Sequence, residues 1–237
     1  MKNSAPVLYL IPSTLGDVSP QEVIPYKTLQ ILKKLDRFVV EEEKTARRFL
    51  IRAGVDKPID AITFFILNEH TEKESVASFF KNSGNADLGL LSEAGVPAVA
   101  DPGTDFIRMA HRMGFRVVPL VGPSSVLMAV MASGLNGQHF AFAGYLPVKI
   151  NERMARIRFL EKRSLLENQS QIFIEAPYRN NQLMKSILET CSPETWLCIA
   201  SNITLEDEWI STRTIAEWKK EIPDLNKKPA VFVMQKF

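Results

Sequence analysis

The chain has 237 residues, 46% of them hydrophobic and 24% charged, with a formal net charge of +2. Those proportions describe an ordinary globular protein of one large or two small domains, and the charge alone makes no case for a nucleic-acid partner, though it leaves room for a local basic face. Cys191 and Cys198 show no Cys-x-x-Cys pairing and read as core thiols in a reducing compartment. No apolar run reaches the roughly 18 residues of a membrane span, and the first strand opens at Val7 with no signal-peptide pattern before it. The expectation is a soluble cytoplasmic protein with no membrane contact.

In chain order, Val7–Ile11 is a compact apolar strand stopped by the turn cluster Pro12-Ser13-Thr14-Leu15-Gly16-Asp17. Residues 26–35 follow as a helix with Leu29, Leu32 and Leu35 on its apolar side. Residues 38–40 form a short strand that ends in Glu41-Glu42-Glu43, and residues 45–53 a helix with Gly54 as its C-cap. A third strand over 62–67 leads through Asn68-Glu69-His70-Thr71 into a helix over 72–81. Leu88–Leu91 is a buried strand. It opens into Ser92-Glu93-Ala94-Gly95-Val96-Pro97-Ala98-Val99-Ala100-Asp101-Pro102-Gly103, followed by a helix over 106–113 and a strand over 117–121. Repeated strand–helix units of this kind predict a mainly parallel sheet.

The second half opens with a helix over 124–132, a break at Ser133-Gly134-Leu135-Asn136-Gly137, and a strand Phe140–Tyr145. A basic helix over 153–167 leads to a strand over 171–175, ending at Ala176-Pro177-Tyr178-Arg179. A helix over 181–189, a strand Trp196–Ser201, a helix over 215–221 and a strand Ala230–Gln235 complete the chain. The fold class is α/β, as two α/β domains spanning 1–121 and 122–237.

Gly-x-Gly-x-x-Gly, the Walker A loop, His-Glu-x-x-His and Gly-x-Ser-x-Gly are all missing, which removes the simplest dinucleotide, nucleotide, zincin and serine-hydrolase readings. What remains is a set of loops at the carboxyl ends of the first-half strands: 12–17, 41–44, 68–71, 92–103 and 122–125. Parallel strands bring such loops to one sheet edge, where open α/β sheets bind their ligands. The 92–103 loop carries Gly95, Gly103, Pro97 and Pro102, more turn chemistry than a simple connection needs.

The Pro12 turn with its Gly16-Asp17, the 90–103 segment and Val117-Val118-Pro119-Leu120-Val121-Gly122-Pro123-Ser124-Ser125 together resemble the tetrapyrrole methylase superfamily of S-adenosylmethionine (SAM)-dependent methyltransferases. The nearest branch is the one that methylates a ribose 2′-oxygen of a cytidine in bacterial small-subunit ribosomal RNA. Ile172 to Arg179 is similar to that branch's Tyr-Glu-Ser-Pro-His-Arg segment. The resemblance implies a two-domain fold with a SAM cleft between the domains, a homodimer, ribosomal RNA or the small subunit as partner, and no metal. Carried over by position, Pro12, Ala94, Gly95, Val96, Val99, Ser124 and Ser125 line the cofactor site. The branch's Glu-Asp-Thr-Arg is Glu41-Glu42-Glu43-Lys44 here, its Ser-Asp-Ala-Gly-Thr-Pro is Ser92-Glu93-Ala94-Gly95-Val96-Pro97, and its His-Glu-His-Asn is Asn68-Glu69-His70-Thr71.

Glu41, Glu42 and His70 are the candidates for activating or orienting the acceptor hydroxyl. The alternative for Glu41–Glu43 is an acidic helix start that favours the dipole, the reading preferred for Glu43. Glu93, Glu175, Tyr178 and Arg179 are assigned to substrate, with a salt-bridged strand end as the other reading of Glu175–Arg179. Asp101 reads as a turn residue that starts the next helix. Lys149, Arg153, Arg156, Arg158, Lys162 and Arg163 are interleaved with apolar residues and make no clean basic face. Two further functions stand beside the ribosomal one: methylation of a small tetrapyrrole-like substrate, and a non-catalytic SAM-binding module.

Overall fold

Strand β1 (Val7–Ile11) lies inside a five-stranded sheet of order β3-β2-β4-β1-β5. Its partners are β2 (Arg37–Val40), β3 (Thr63–Ile66), β4 (Leu88–Leu91) and β5 (Arg116–Pro119), and every pairing is parallel. The computed structural model describes residues 5–68 and 71–237. The chain divides into two units, residues 1–124 and 125–237.

In the first unit the strands are linked by α1 (Pro20–Val23), α2 (Tyr26–Leu32), α3 (Glu43–Arg52), a 3₁₀ turn at Ile59–Ala61, α4 (Lys73–Ser83) and α5 (Thr104–Arg112). Successive side chains on a strand face opposite sides of the sheet, and this alternation sorts the helices into two layers. Ile11, Phe38, Val40 and Leu91 join Leu29 and Leu32 of α2 and Phe49 and Leu50 of α3. Leu8, Val39, Leu88 and Leu90 turn the other way, onto Val76 and Phe80 of α4 and Phe106 and Ala110 of α5. Gly89 faces the first of these layers, where a Cβ would stand 2.7 Å from Ile11 Cδ1 and force that side chain to shift. Pro119 sits on the edge strand β5, where its missing N–H costs the sheet no hydrogen bond.

The second unit runs α6 (Ser125–Ser133), β6 (Phe140–Tyr145), α7 (Ile150–Glu167), β7 (Ser170–Ile174), a 3₁₀ turn at Pro177–Arg179, α8 (Asn180–Thr190), β8 (Trp196–Ser201), β9 (Trp209–Thr214), α9 (Ile215–Trp218) and β10 (Ala230–Gln235). Its sheet has the order β6-β7-β10-β8-β9; β6 and β7 are parallel and all other pairs antiparallel. On one face Phe173, Ile199 and Phe232 pack with Ile157 and Leu160 of α7 and Leu183 and Ile187 of α8. Helix α6 packs on β8, β9 and β10, and Thr212 donates a hydrogen bond of 2.8 Å to the Ser133 carbonyl at its end.

Several sequence expectations need correction. Strand β9 is absent from the sequence reading, although Trp209-Ile210-Ser211-Thr212-Arg213-Thr214 is rich in aromatic and β-branched residues. Helix α9 stops at Trp218 instead of continuing to Glu221. It is held at its start by a Thr214–Glu217 capping box and at its end by the Trp218 indole, which donates to the Leu197 carbonyl at 2.9 Å. Helix α2 ends at Leu32, and Leu35 reaches the core through a turn. Arg153 points into the second unit, donating to Ser186 Oγ at 3.0 Å and the Val148 carbonyl at 3.1 Å, so it is no part of a basic surface. Both cysteines are buried, and burial pushes both thiols up from their ordinary value.

Candidate functional site

Five parallel strands carry the predicted loops to one edge of the first sheet, and the strand order decides which loops meet. Because β4 and β1 are neighbours, the 92–103 loop and the Pro12 turn lie side by side; Ser13 N donates to the Gly95 carbonyl at 2.9 Å and Ser92 N to the Ile11 carbonyl at 3.3 Å. Because β1 and β5 are neighbours, the segment after β5 closes on the Pro12 turn from the other side. There Leu120 N donates to the Leu10 carbonyl at 2.9 Å, and Thr28 Oγ1 of α2 donates to the Val121 carbonyl at 2.8 Å. A Cβ on Gly95 would stand 3.0 Å from Leu15 Cδ2 and 3.4 Å from the Pro123 carbonyl oxygen, so Gly95 lies between the other two loops.

The 92–103 loop holds a strained backbone. Gly95 (φ 73°) and Gly103 (φ 132°) take conformations suited to glycine, but Ala98 (φ 62°) and Ala100 (φ 63°) are also left-handed. Such residues cost about 1–2 kcal/mol each outside glycine, and they persist where the surroundings dictate the shape, most often at binding sites. One tie is the Ser92 hydroxyl, which reaches Asp101 Oδ2 and, at 3.1 Å, the Ala94 carbonyl. The turn Asp101-Pro102-Gly103 leads directly into α5, whose N-cap is Gly103 with no side-chain cap, and Asp101 closes the loop on Ser92.

Between β2 and β4 the loops line a small cavity of about 20 Å³, partly open to solvent and with room for one water. Ser13, Glu41, Glu42, Ser92 and Glu93 line it. The Ser13 hydroxyl is buried, 2% exposed, and has no hydrogen-bond partner among the described residues. Burial, then the facing charges of Asp101 and Glu93, push the Glu41 carboxyl up to about 7. Glu93 is raised by burial and then by Glu42 and Asp101, and Asp101 is raised by burial against the opposing pull of the Ser92 bond. The second and fourth strand ends thus share a group of acids in which one carboxyl sits near neutrality.

The predicted acids divide by environment. Glu42 is the N-cap of α3 and accepts from Thr45 Oγ1 at 2.5 Å; Glu43, the first residue of that helix, pairs with Arg47 at 2.7 Å. Glu41 stands before the helix, at the end of β2. Glu69 and His70 lie outside the described residues. Pro12 and Gly95 are buried, Val96 and Ser124 are half-buried, and Ala94 and Val99 are exposed. Ser125 is half-buried as the first residue of α6. Sequence reasoning passed over Ser13 and Ser92 as site residues; the available signal was a serine placed at a strand end directly beside a turn proline or acid.

In the second unit, the carboxyl end of β7 carries a chain of three side chains. Glu175 is fully buried, and its Oε1 accepts from Ala176 N (2.8 Å), Arg179 Nε (3.0 Å) and Arg179 Nη2 (2.6 Å). Arg179 Nη1 donates to Tyr178 Oη at 2.9 Å, and its guanidinium lies 5.0 Å from the Tyr178 ring centre. The salt-bridged strand end weighed from the sequence is present.

No family model matches the chain. It is 31% identical over 211 residues to the ribosomal RNA small subunit methyltransferase I of Mesorhizobium japonicum, covering 89% of this chain and 68% of the relative. To the protein of that name from Vibrio cholerae it is 29% identical over 236 residues, covering 98% and 77%. Among solved structures, the methyltransferase CobJ superposes with a TM-score of 0.64 at 13% identity, over 98% of this chain and 95% of that one. Uroporphyrin-III C-methyl transferase from Thermus thermophilus, complexed with S-adenyl homocysteine, gives 0.56 at 17% identity, over 97% of each. The fold is that of the tetrapyrrole methylases, and the chain belongs to the ribosomal RNA small subunit methyltransferase I family.

Proposed function

We propose that this SAM-dependent methyltransferase transfers a methyl group to a ribose 2′-hydroxyl of small-subunit ribosomal RNA. The observation that carries the reading is the meeting of three loops, Pro12–Asp17, Ser92–Gly103 and Val121–Ser124, beside a carboxyl poised near pH 7. The acceptor class is supported by the relatives, which are ribosomal RNA small subunit methyltransferases.

The residues present fit the donor. Pro12, Ala94, Gly95, Val96, Val99, Ser124 and Ser125 offer backbone groups, small side chains and hydroxyls, the partners that a methionine carboxylate, an ammonium and ribose hydroxyls need. The buried, unpartnered Ser13 hydroxyl adds a group that lacks a protein partner among the described residues. When bound, SAM supplies a methyl group already activated by a sulfonium, so the protein's work is orientation and proton handling. The acids of the strand ends suit a cationic donor.

Glu41 is assigned as the group that accepts the proton of the attacking hydroxyl, because its raised carboxyl matches the operating pH. Glu42 orients the loop through Thr45, and His70 is proposed as a second group on the acceptor. Glu93, Tyr178 and Arg179 are proposed to face the RNA, with the buried Glu175, the fourth residue assigned to substrate, acting through the Arg179 it holds. We also assign the working form to a homodimer in the cytoplasm. The test is transfer of labelled methyl from SAM into small ribosomal subunits from a strain lacking this protein. Label in the ribosomal RNA supports the reading, and SAM binding without transfer would instead favour a non-catalytic module.

A further inference from the structure

The turn after β7 displays an aromatic ring in an unusual way. Tyr178 is 64% exposed although it follows a buried strand, and the residue beside it is spent on holding it. Two hydrogen bonds from Arg179 to Glu175 fix the guanidinium, a third ties the Tyr178 hydroxyl, and the guanidinium also covers one face of the ring. With one face covered, exposure of that size leaves the other face open. The side-chain entropy that an exposed tyrosine would lose on binding is therefore partly spent before any ligand arrives.

The surroundings are cationic. Lys227 N donates to the Pro177 carbonyl at 3.1 Å, and the Lys228 carbonyl accepts from Asn180 Nδ2 at 2.7 Å, which fixes the backbone of these two exposed lysines beside the turn. Arg179 is neutralised by a buried acid, so the surplus positive charge of the patch comes from the lysine pair. The nearby Asp224 accepts from Asn181 Nδ2 at 2.7 Å and Asn226 N at 3.0 Å; these bonds and Lys228 favour its charged form, so it offsets one lysine and leaves the patch a net single positive charge. A second tyrosine, Tyr145, 57% exposed, ends β6 in register with Ile174 of β7. An open aromatic face flanked by lysines is how proteins hold unpaired nucleotides: the ring stacks on a base and the cations meet the phosphates.

We propose that Tyr178 is a stacking platform for an unpaired base of the RNA substrate, held ready by Glu175 and Arg179, with Lys227 and Lys228 on the adjoining phosphates. The proposal rests on the ribosomal RNA reading above and assigns the second unit a part in RNA recognition. It makes Tyr178 a residue that holds the substrate and leaves the chemistry to the first unit.

The experiment uses the full-length protein and a single-stranded RNA decamer carrying one 2-aminopurine. With the wild type, the fluorescent base is quenched on binding. Tyr178→Ala abolishes the quench and weakens binding by about tenfold or more, the range for loss of one stacked base. Tyr178→Trp retains both, and Lys227→Ala with Lys228→Ala weakens binding and flattens its salt dependence while the quench at saturation persists. Absence of quenching with the wild type, or an unchanged quench in Tyr178→Ala, overturns the proposal. Methyl transfer to small subunits is followed in parallel with both proteins. Transfer by the wild type with an unaltered KM in Tyr178→Ala refutes the platform and leaves the proposed function standing, whereas no transfer by the wild type refutes the function itself.

Discussion

Pro12 and Gly122 touch so closely that a Cβ on the glycine would stand 2.2 Å from Pro12 Cγ and 2.5 Å from its Cβ. The contact joins the loop after β1 to the segment after β5, and it leaves no slack between two of the three loops assigned to the donor. Gly122→Ala therefore forces these loops apart. Overpacking of this kind costs about 1–3 kcal/mol of stability, read from denaturant unfolding, and SAM affinity falls at least tenfold by titration calorimetry. Pro12→Gly removes the clashing atoms, so the double variant loses less stability than the two single losses added together.

The strain in the 92–103 loop predicts a stabilising change. Ala98 has φ 62°, a conformation glycine adopts freely. Ala98→Gly relieves about 1–2 kcal/mol of left-handed strain and adds about 0.5–1 kcal/mol of unfolded-chain entropy. The net result is a gain of several tenths of a kcal/mol, seen as a higher denaturant midpoint. Ala98→Val moves the midpoint the other way.

Glu41 couples stability to function. Its folded carboxyl is raised from 4.5 to about 7, so the folded protein holds that proton more tightly than the unfolded chain. The stability this supplies is complete below about 4.5 and is lost as pH rises through about 7. Glu41→Gln removes the charge that burial opposes. The variant is more stable than the wild type at pH 8, by about 1 kcal/mol once solvent screening of this partly exposed group is allowed for, and the advantage vanishes at pH 4. Thermal melts at the two pH values check this. The same variant transfers methyl at least about a hundredfold more slowly, the usual worth of a positioned base.

Asp101 tunes that carboxyl. Its charge helps hold Glu41 up, while its Oδ2 closes the loop on Ser92. Asp101→Asn removes the charge and keeps an oxygen for the Ser92 hydroxyl. The acid limb of the pH–rate profile then shifts to lower pH with little change in SAM affinity, whereas Asp101→Ala loosens the loop and lowers the affinity as well.

The first unit was legible because its strands alternate regularly between helix-facing residues, as in Leu8 and Ile11 or Val39 and Val40, and because parallel strands must bring their loops to one edge. The second unit was less so. Its β9 follows Trp209 and Ile210 with serine, threonine and arginine on a half-exposed edge, where burial leaves a faint pattern, and its antiparallel pairings follow from no local repeat. At the site, Gly95 and Gly103 announced an unusual backbone, but Ala98 and Ala100 share it for reasons that lie in tertiary contacts. The division of labour among Glu41, Glu42 and Glu43 was open in the sequence because three adjacent glutamates differ only in what surrounds them. For Arg179 the sequence offers an ion pair only as the alternative to a substrate role; the pair with Glu175, and the ring it supports, emerge only when the turn is folded.

The most direct test of the account is to locate the methyl group. Small ribosomal subunits from a strain lacking this protein are incubated with the enzyme and SAM, and their RNA is digested to nucleosides for mass spectrometry. The account predicts a 2′-O-methylated nucleoside that appears with the wild type and is strongly reduced with Glu41→Gln. A methyl group on a base, no methylated nucleoside at all, or full activity in Glu41→Gln would contradict it.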